Sequence, residues 1–360
     1  FKGKAIILIG ARQVGKSTLF NQITQGRKEA VLTLNCDEPE VKEMLANINT
    51  SELKMLIGNN RIIVIDEAQR VSEIGLTLKR ITDNFTNVQL LVTGSSSFEL
   101  QSNLSEPLTG RKYEYHLYPI STAELYDSQG LLPVKQMFES RLIYGSYPDI
   151  INHTDEAKLL MNIANSYLYK DLLAMNEIRR PILLEKLLIA LALQVGSEVS
   201  YNEVAQTIGT DNKTVEKYID LLEKCYVIFR LNAFNRNLRT ELKKSKKIYF
   251  YDNGIRNAVI QNFAPLSLRQ DTGALWENFF ISERIKANHY NGNYAKSFFW
   301  RTTQQQEIDY IEEADGNFTA FEMKWNPNKR PITFPSPFLN NYPVKETVVI
   351  TPENYLEWVM

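Results

Sequence analysis

Residues 5–18 read AIILIGARQVGKST, an apolar run long enough for one strand, a glycine-bearing turn, and the polar start of a helix. Gly10 to Ser17 has the spacing G-x-x-x-x-G-K-[ST], and it lies between a strand pattern and a helix pattern, the setting that gives the spacing meaning. Glycines let such a loop turn backbone N–H groups toward an anion, and the helix that follows presents the positive end of its dipole. Gly10, Gln13, Val14, Gly15, Lys16, Ser17 and Thr18 are therefore expected to cradle nucleotide phosphates. Lys16 would neutralise β/γ charge, and Ser17 would offer an oxygen to Mg²⁺.

Outward from this loop, apolar runs at 5–9, 30–34, 61–65, 89–93 and 113–117 alternate with helical stretches. Such alternation belongs to a parallel α/β sheet, so residues 1–125 are expected to form a P-loop NTPase sheet. Ile62 to Ile65 is a buried-strand run ending in Asp66 and Glu67, and ligands bind at that end of parallel strands. Asp66 is expected in the Mg²⁺ shell, with Glu67 orienting or deprotonating a water for attack on the γ-phosphate. An acidic pair at a strand end can also be only a helix cap, but the phosphate loop favours the first reading. Thr93 and Ser95 end the next buried run and are expected beside the γ-phosphate. Arg111 precedes the last run and reads equally as a charge on phosphate, in this subunit or a neighbour, or as a surface arginine.

The 360 residues carry 41 Lys plus Arg against 42 Asp plus Glu, with 44% hydrophobic and 23% charged residues. This balance excludes a global pull toward nucleic acid or an anionic surface, so any such attraction has to be local. No apolar run reaches the roughly 18 residues of a spanning helix, and the opening FKGKAIILIG lacks a cleavable signal. A cytoplasmic chain with no membrane partner is expected, together with a short segment before Phe1. Cys36 and Cys225 stand outside any C-x-x-C context and are expected as free thiols. The scattered His116, His153 and His289 give no zinc-site spacing.

From about residue 126 helical periodicity takes over, and 126–180 reads as a helical connector. In 181–250 three helical patterns precede the apolar strand CYVIFRLNAF and a basic stretch, the order of a winged helix-turn-helix. Ser200 is expected to cap a helix through Ile208, and a second helix is expected from Asn212 to Lys224. The apolar stripe Val215, Ile219 and Leu222 leaves Lys213, Thr214, Lys217 and Tyr218 for phosphate or groove contact. Arg236, Arg239, Lys243, Lys244, Lys246 and Lys247 stand against Glu241 alone, a local charge of +5 that suits DNA. Charge runs are also often merely solvated, and winged helices can dock proteins instead.

Residues 251–360 read as a further α/β unit, with a helix over 273–286 and strands at 297–301, 307–312 and 318–324. Asp315-Gly316 is a preferred two-residue hairpin turn. Taking it so, Ala314 faces Asn317, Asp309 faces Glu322, and Glu307 faces Lys324. These four charged residues would share one face, leaving Ile308, Tyr310, Phe321 and Met323 on the other. Two carboxylates opposed at roughly 5 Å destabilise a hairpin unless something compensates. Mg²⁺ or Mn²⁺ would do so, with Lys324 stabilising charge or positioning a water. Metal-dependent cleavage, binding without cleavage, and a plain surface salt-bridge network are the three readings.

GARQVGKST, IIVIDEAQ, LLVTGSSS, LTGRKYEYHLYPIS and YGSYPDI together resemble the archaeal-type AAA ATPases whose C-terminal half is a domain of unknown function. The resemblance covers nearly the whole chain. It implies ATP as the nucleotide, and a C-terminal part made of a winged helix followed by a region similar to PD-(D/E)xK nucleases. Glu322-Met-Lys324 matches the E-x-K of that pattern, Asp309 its first acid, and Glu277 in GALWENFFISERI its helical acid; Ile308 stands where the pattern has proline. The expected protein is an ATP hydrolase coupling nucleotide state to a module that grips or cuts DNA. Its alternative is a non-catalytic switch that docks a protein or DNA partner. Either is compatible with a homo-oligomer. A small-molecule kinase is disfavoured, because Glu67 after Asp66 suits water activation.

Overall fold

The structure is a computed structural model and describes residues 3–95, 108–153, 155–165, 178, 180–235, 246–326 and 332–360. It divides into two compact units, Phe1–Tyr118 with Lys224–Tyr226, and Pro119–Glu223 with Val227–Met360.

In the first unit the elements run β1 (Ala5–Gly10), α1 (Lys16–Thr24), β2 (Val31–Asn35), α2 (Pro39–Asn47), α3 (Thr50–Ile57), β3 (Ile62–Asp66), α4 (Ile74–Asn84), β4 (Gln89–Gly94) and β5 (Lys112–Leu117). The strands fall within a residue or so of the expected apolar runs. All neighbours are parallel, in the order β2-β3-β4-β1-β5. Because the strands are parallel, Gly10, Asn35, Asp66 and Gly94 all end at one edge of the sheet. Leu8, Phe20, Ile62, Val64 and Leu91 form a buried cluster that seats α1 on β1, β3 and β4. α4 covers the sheet with Ile74, Leu78 and Ile81, residues at helical spacing. Gly10 is required by packing: a Cβ there would lie 2.0 Å from the carbonyl oxygen of Leu117 on β5.

The second unit begins with α5 (Thr122–Gln129), α6 (Leu131–Gln136), α7 (Phe138–Tyr144), α8 (Pro148–Ile151) and α9 (Glu156–Ile163). It continues through α10 (Pro181–Leu193), β6 (Glu198–Val199), α11 (Tyr201–Ile208), α12 (Asn212–Lys224), β7 (Ile228–Ala233) and β8 (Lys246–Phe250). Ser200 caps α11 by accepting from the backbone N–H of Glu203 at 3.4 Å, and Gly209 closes it in the left-handed region at φ 76°. Then follow α13 (Asn253–Val259), α14 (Thr272–Tyr290), β9 (Lys296–Arg301), β10 (Glu307–Ala314), β11 (Asn317–Met323), α15 (Ser336–Asn341), β12 (Val344–Ile350) and α16 (Leu356–Val359).

These strands make one seven-stranded sheet in the order β12-β11-β10-β9-β7-β8-β6. β7 meets β9 in parallel at Asn232↔Phe298 and Ala233↔Phe299. The hairpin turns at Asp315 and Gly316, both at positive φ, and pairs Ala314 with Asn317 and Tyr310 with Phe321 as its turn residues require. Ile308 and Tyr310 do not share a face as expected, because a bulge between Ile308 and Ile311 shifts the register against β9. Ile308 therefore joins Ile311, Phe318 and Phe338 in one buried cluster, while Tyr310 packs on Phe321 with ring centroids 5.6 Å apart.

α14 is anchored by charges with no access to water. Glu283, 2% exposed, accepts from the Thr122 N–H at 2.5 Å and its hydroxyl at 2.6 Å, and pairs with Lys286 at 2.7 Å and Arg141 at 3.4 Å. Burial opposes the charge on Glu283, but Lys286 and Arg141 more than offset it and pull its pKa down to about 2.

Candidate functional site

The expected phosphate-loop residues lie where β1 gives way to α1. The turn is made by left-handed backbone at Gln13 (φ 63°) and Gly15 (φ 96°). Val14 is buried and packs the loop down, whereas Gln13, Ser17 and Thr18 are exposed. Lys16 is 5% exposed, and its Nζ donates to the carbonyls of Gly10 at 3.0 Å and Ala11 at 2.7 Å. Burial lowers its pKa to about 8, against the opposing pull of Glu67 and Asp66. Ser17 Oγ donates to Asp66 Oδ2 at 2.7 Å, joining the loop to the end of β3. The loop thus holds a buried, dischargeable cation, a serine hydroxyl already turned to a carboxylate, and a helix N-terminus. This donor set fits a nucleotide triphosphate with Mg²⁺ shared between Ser17 and Asp66.

β4, inserted between β1 and β3, brings Thr93 and the following Ser95 to Asp66 and Glu67. Thr93 is fully buried; its hydroxyl donates to Asp66 Oδ1 and accepts from the Glu67 N–H at 3.0 Å. Glu67 sits in the left-handed region at φ 53°, which turns its side chain off the strand line. Gln69, which sequence reasoning missed, is 8% exposed, and its Nε2 donates to Glu67 Oε2 at 2.5 Å and Ser95 Oγ at 2.7 Å. Ser95 Oγ in turn donates to the same Glu67 oxygen at 3.1 Å. Gln69 Oε1 is buried and has no hydrogen-bond partner among the described residues. The signal was present, since Gln69 ends the IIVIDEAQ stretch two residues beyond Glu67. Cys36, a free buried thiol as expected, follows β2, and burial, then Asp66 and Asp37, push its pKa up to about 12.

Arg111 is elsewhere. It precedes β5, and Lys112 pairs with Ala5 while Leu117 pairs with Gly10, so Arg111 lies at the far edge of the sheet, roughly 20 Å along the strands from the loop. There it pairs with Asp83 at 2.5 Å. Within one subunit it does not meet the phosphate loop.

The C-terminal acids come together with two lysines, one of them unexpected. Glu277 on α14 accepts from Tyr249 Oη at 2.6 Å and pairs with Lys247 at 3.2 Å. Lys247 also pairs with Glu307 at 2.6 Å. Glu307 is paired with Arg301 across β9 as well as with this lysine. Lys324 pairs with Glu322 at 2.7 Å and Asp309 at 3.7 Å, and Asp309 Oδ2 accepts from the Met323 N–H at 3.1 Å. Burial raises the pKa of Glu277 to about 7 against the pull of Lys247. Burial, then Asp309, raise Glu322 to about 7. Among the described residues no group of three or more His, Cys, Asp or Glu side chains is arranged to hold a metal ion. The expected second metal site on Glu277, Asp309 and Glu322 does not fit these partners.

The expected nucleic-acid face is smaller than its sequence suggested. Lys213 and Lys217 are exposed on α12. Thr214 is spent on capping, its hydroxyl donating to Asp211 Oδ2 at 2.7 Å. Tyr218 is 4% exposed, a correction that helical spacing explains, since it falls between Val215 and Leu222 on the buried stripe. Lys246 lies half-buried over the ring of Tyr201 at 5.4 Å, and Lys247 is 2% exposed. Successive strand residues point to opposite faces, so two adjacent lysines on β8 cannot both meet DNA. Lys243 and Lys244, like Arg236 and Arg239, lie outside the described residues.

The first unit is an AAA-type P-loop domain: residues 2–126 match the AAA domain family. Residues 135–266 and 272–357 match two domains of unknown function, DUF8612 and DUF4143. Similar whole proteins include an uncharacterized protein of Mycobacterium bovis, 26% identical, covering 90% of this chain and 70% of that one. An uncharacterized protein of Haemophilus influenzae is 28% identical over 71% of this chain and 68% of its own. One of Methanocaldococcus jannaschii is 25% identical over 79% of this chain and 69% of its own. Among solved structures, Drosophila ORC bound to AT-rich DNA and Cdc6 is 12% identical over 72% of this chain and 85% of that chain, with a TM-score of 0.24. A TM-score that low defines no shared fold. No described helix is long and apolar enough to cross a membrane.

Proposed function

We propose that this protein binds and hydrolyses ATP in its N-terminal unit and couples the nucleotide state to a C-terminal module that grips DNA. The observation that carries the first half is the convergence of Lys16, Ser17, Asp66, Glu67 and Thr93 at one edge of the parallel sheet, with Ser17 and Asp66 2.7 Å apart. Lys16 leaves its two backbone carbonyls for the β- and γ-phosphates. Mg²⁺ bound with the nucleotide spreads phosphate charge, and Ser17 and Asp66 are the residues to hold it. Thr93 fixes Asp66 through its carboxylate and Glu67 through its backbone N–H. Glu67 takes the proton of the attacking water, and Gln69 Nε2 holds the Glu67 carboxylate in position.

The DNA half is supported by exposed Lys213 and Lys217 on α12, by the sequence's basic residues Arg236, Arg239, Lys243 and Lys244, and by a helix and strand order that fits a winged helix-turn-helix. Cleavage is outside the proposal, because the acids it needs are held by lysines. A slow nucleotide-dependent switch is the second reading, favoured by the hold of Gln69 and Ser95 on Glu67. Turnover decides between them. Steady-state hydrolysis of ATP by the parent, accelerated by duplex DNA, supports the enzyme. Glu67→Gln should keep ATP binding and lose at least about 100-fold in kcat, the usual share of a general base. A parent that binds ATP but does not turn it over, with or without DNA, leaves the switch.

A further inference from the structure

We infer that the C-terminal carboxylate group carries its own cation, the Lys247 ammonium, in the place where the nuclease pattern has a divalent metal, and that it takes no metal. This goes beyond the ATP reading and does not depend on it. Lys247 enters from β8, a strand outside the hairpin that bears the other residues, and its position there is forced by alternation: Lys246 turns to the Tyr201 ring, so Lys247 turns inward. Its Nζ lies 2.6 Å from Glu307 and 3.2 Å from Glu277, and the same Glu277 oxygen takes the Tyr249 hydroxyl at 2.6 Å. On the other side Lys324 sits 2.7 Å from Glu322 and 3.7 Å from Asp309. A divalent ion needs several oxygen ligands turned to one point. Here the oxygens turn instead to two ammonium groups that a metal would have to displace, one of them 98% shielded from water by its 2% exposure.

The inference also explains the like-charge opposition that the hairpin register creates. Asp309 and Glu322 lie on neighbouring strands, and burial is tolerable because lysines neutralise the group from within. The wing strand therefore supplies a structural counter-ion, not a DNA contact.

The test uses the full chain without nucleotide, titrated with MnCl₂ and with MgCl₂ by calorimetry and thermal melting. The parent should give the same metal response, in heat and in Tm, as Asp309→Asn and Glu322→Gln. Lys247→Met leaves Glu277 and Glu307 unbalanced, and should melt lower than the parent and regain Tm with Mn²⁺. The double variant Lys247→Met with Glu307→Gln keeps the charge count, providing a folded form if the single variant is insoluble. It too should gain a Mn²⁺ response that Asp309→Asn then removes. Stoichiometric Mn²⁺ binding by the parent that is lost in Asp309→Asn would overturn the inference. So would a Lys247→Met protein, single or double, that folds and stays indifferent to Mn²⁺.

Discussion

Nucleotide binding should be tied to proton uptake by Lys16. Burial holds this ammonium at a pKa of about 8, with the neutral carbonyls of Gly10 and Ala11 in direct contact. Phosphate binding requires the charged form and restores an ordinary lysine pKa. A group of pKa about 8 is about nine-tenths protonated at pH 7 and about one-tenth at pH 9, so Kd for ATP should rise about tenfold between them, or about 1.4 kcal/mol. At pH 8 about half a proton should be taken up on binding. Calorimetric titration in two buffers of different ionisation enthalpy reads the proton count directly. Folding supplies a second check on the same group. The unfolded chain binds the proton more tightly than the folded one, so between pH 8 and 10.5 stability should increase as pH rises. At pH 7 the buried charge costs about 3 kcal/mol, and Lys16→Met should raise the Tm of the nucleotide-free protein while abolishing ATP binding. A Kd flat from pH 7 to 9 with no buffer dependence would refute this account of the loop.

Reversing Lys213 and Lys217 to Glu should weaken duplex binding across sequences and reduce the slope of log K against log salt by about 2 in filter-binding titrations; unchanged binding at matched salt would make α12 a bystander. Gly10→Ala should leave no soluble folded protein, or one melting far below the parent by circular dichroism, because its Cβ would meet the Leu117 carbonyl at 2.0 Å. Glu283→Gln should cost about 3–5 kcal/mol by urea unfolding, as loss of one partner from a buried ion pair does. The parent's Glu283 contribution is present above pH 4.5 and is lost as pH falls toward about 2, and the variant should lack that part of the acid dependence.

Features set by neighbouring residues were legible in the sequence, and those set by distant ones were not. The alternating apolar runs and the spacing around Lys16 located the parallel strands, and Asp315-Gly316 set a register that the pairing of Tyr310 with Phe321 keeps. The insertion of β4 between β1 and β3 has no local signature, yet it is what brings Thr93 onto Asp66. Lys247 was misplaced for the same reason: its partners Glu277 and Glu307 are 30 and 60 residues away in sequence, and charge density alone drew it toward DNA. One misplacement was avoidable: the spacing of Tyr218 from Val215 and Leu222 is helical. For Arg111 the choice between its two readings was also legible, because it comes before its strand, whereas parallel sheets bind ligands after theirs.

The seam between β7 and β9 bears on how such a chain can be inherited. DUF8612 ends at residue 266 and DUF4143 begins at 272, which invites treating them as interchangeable cassettes. Yet the sheet runs through that boundary, with β8 on one side supplying the lysine that balances Glu277 and Glu307 on the other. Recombination between them would bare the edges of β7 and β9 and strand a buried ammonium from its acids, each a route to aggregation or unfolding. The two segments therefore behave as one physical block, and either expressed alone should need compensating changes at position 247 or at the acids it serves to stay soluble.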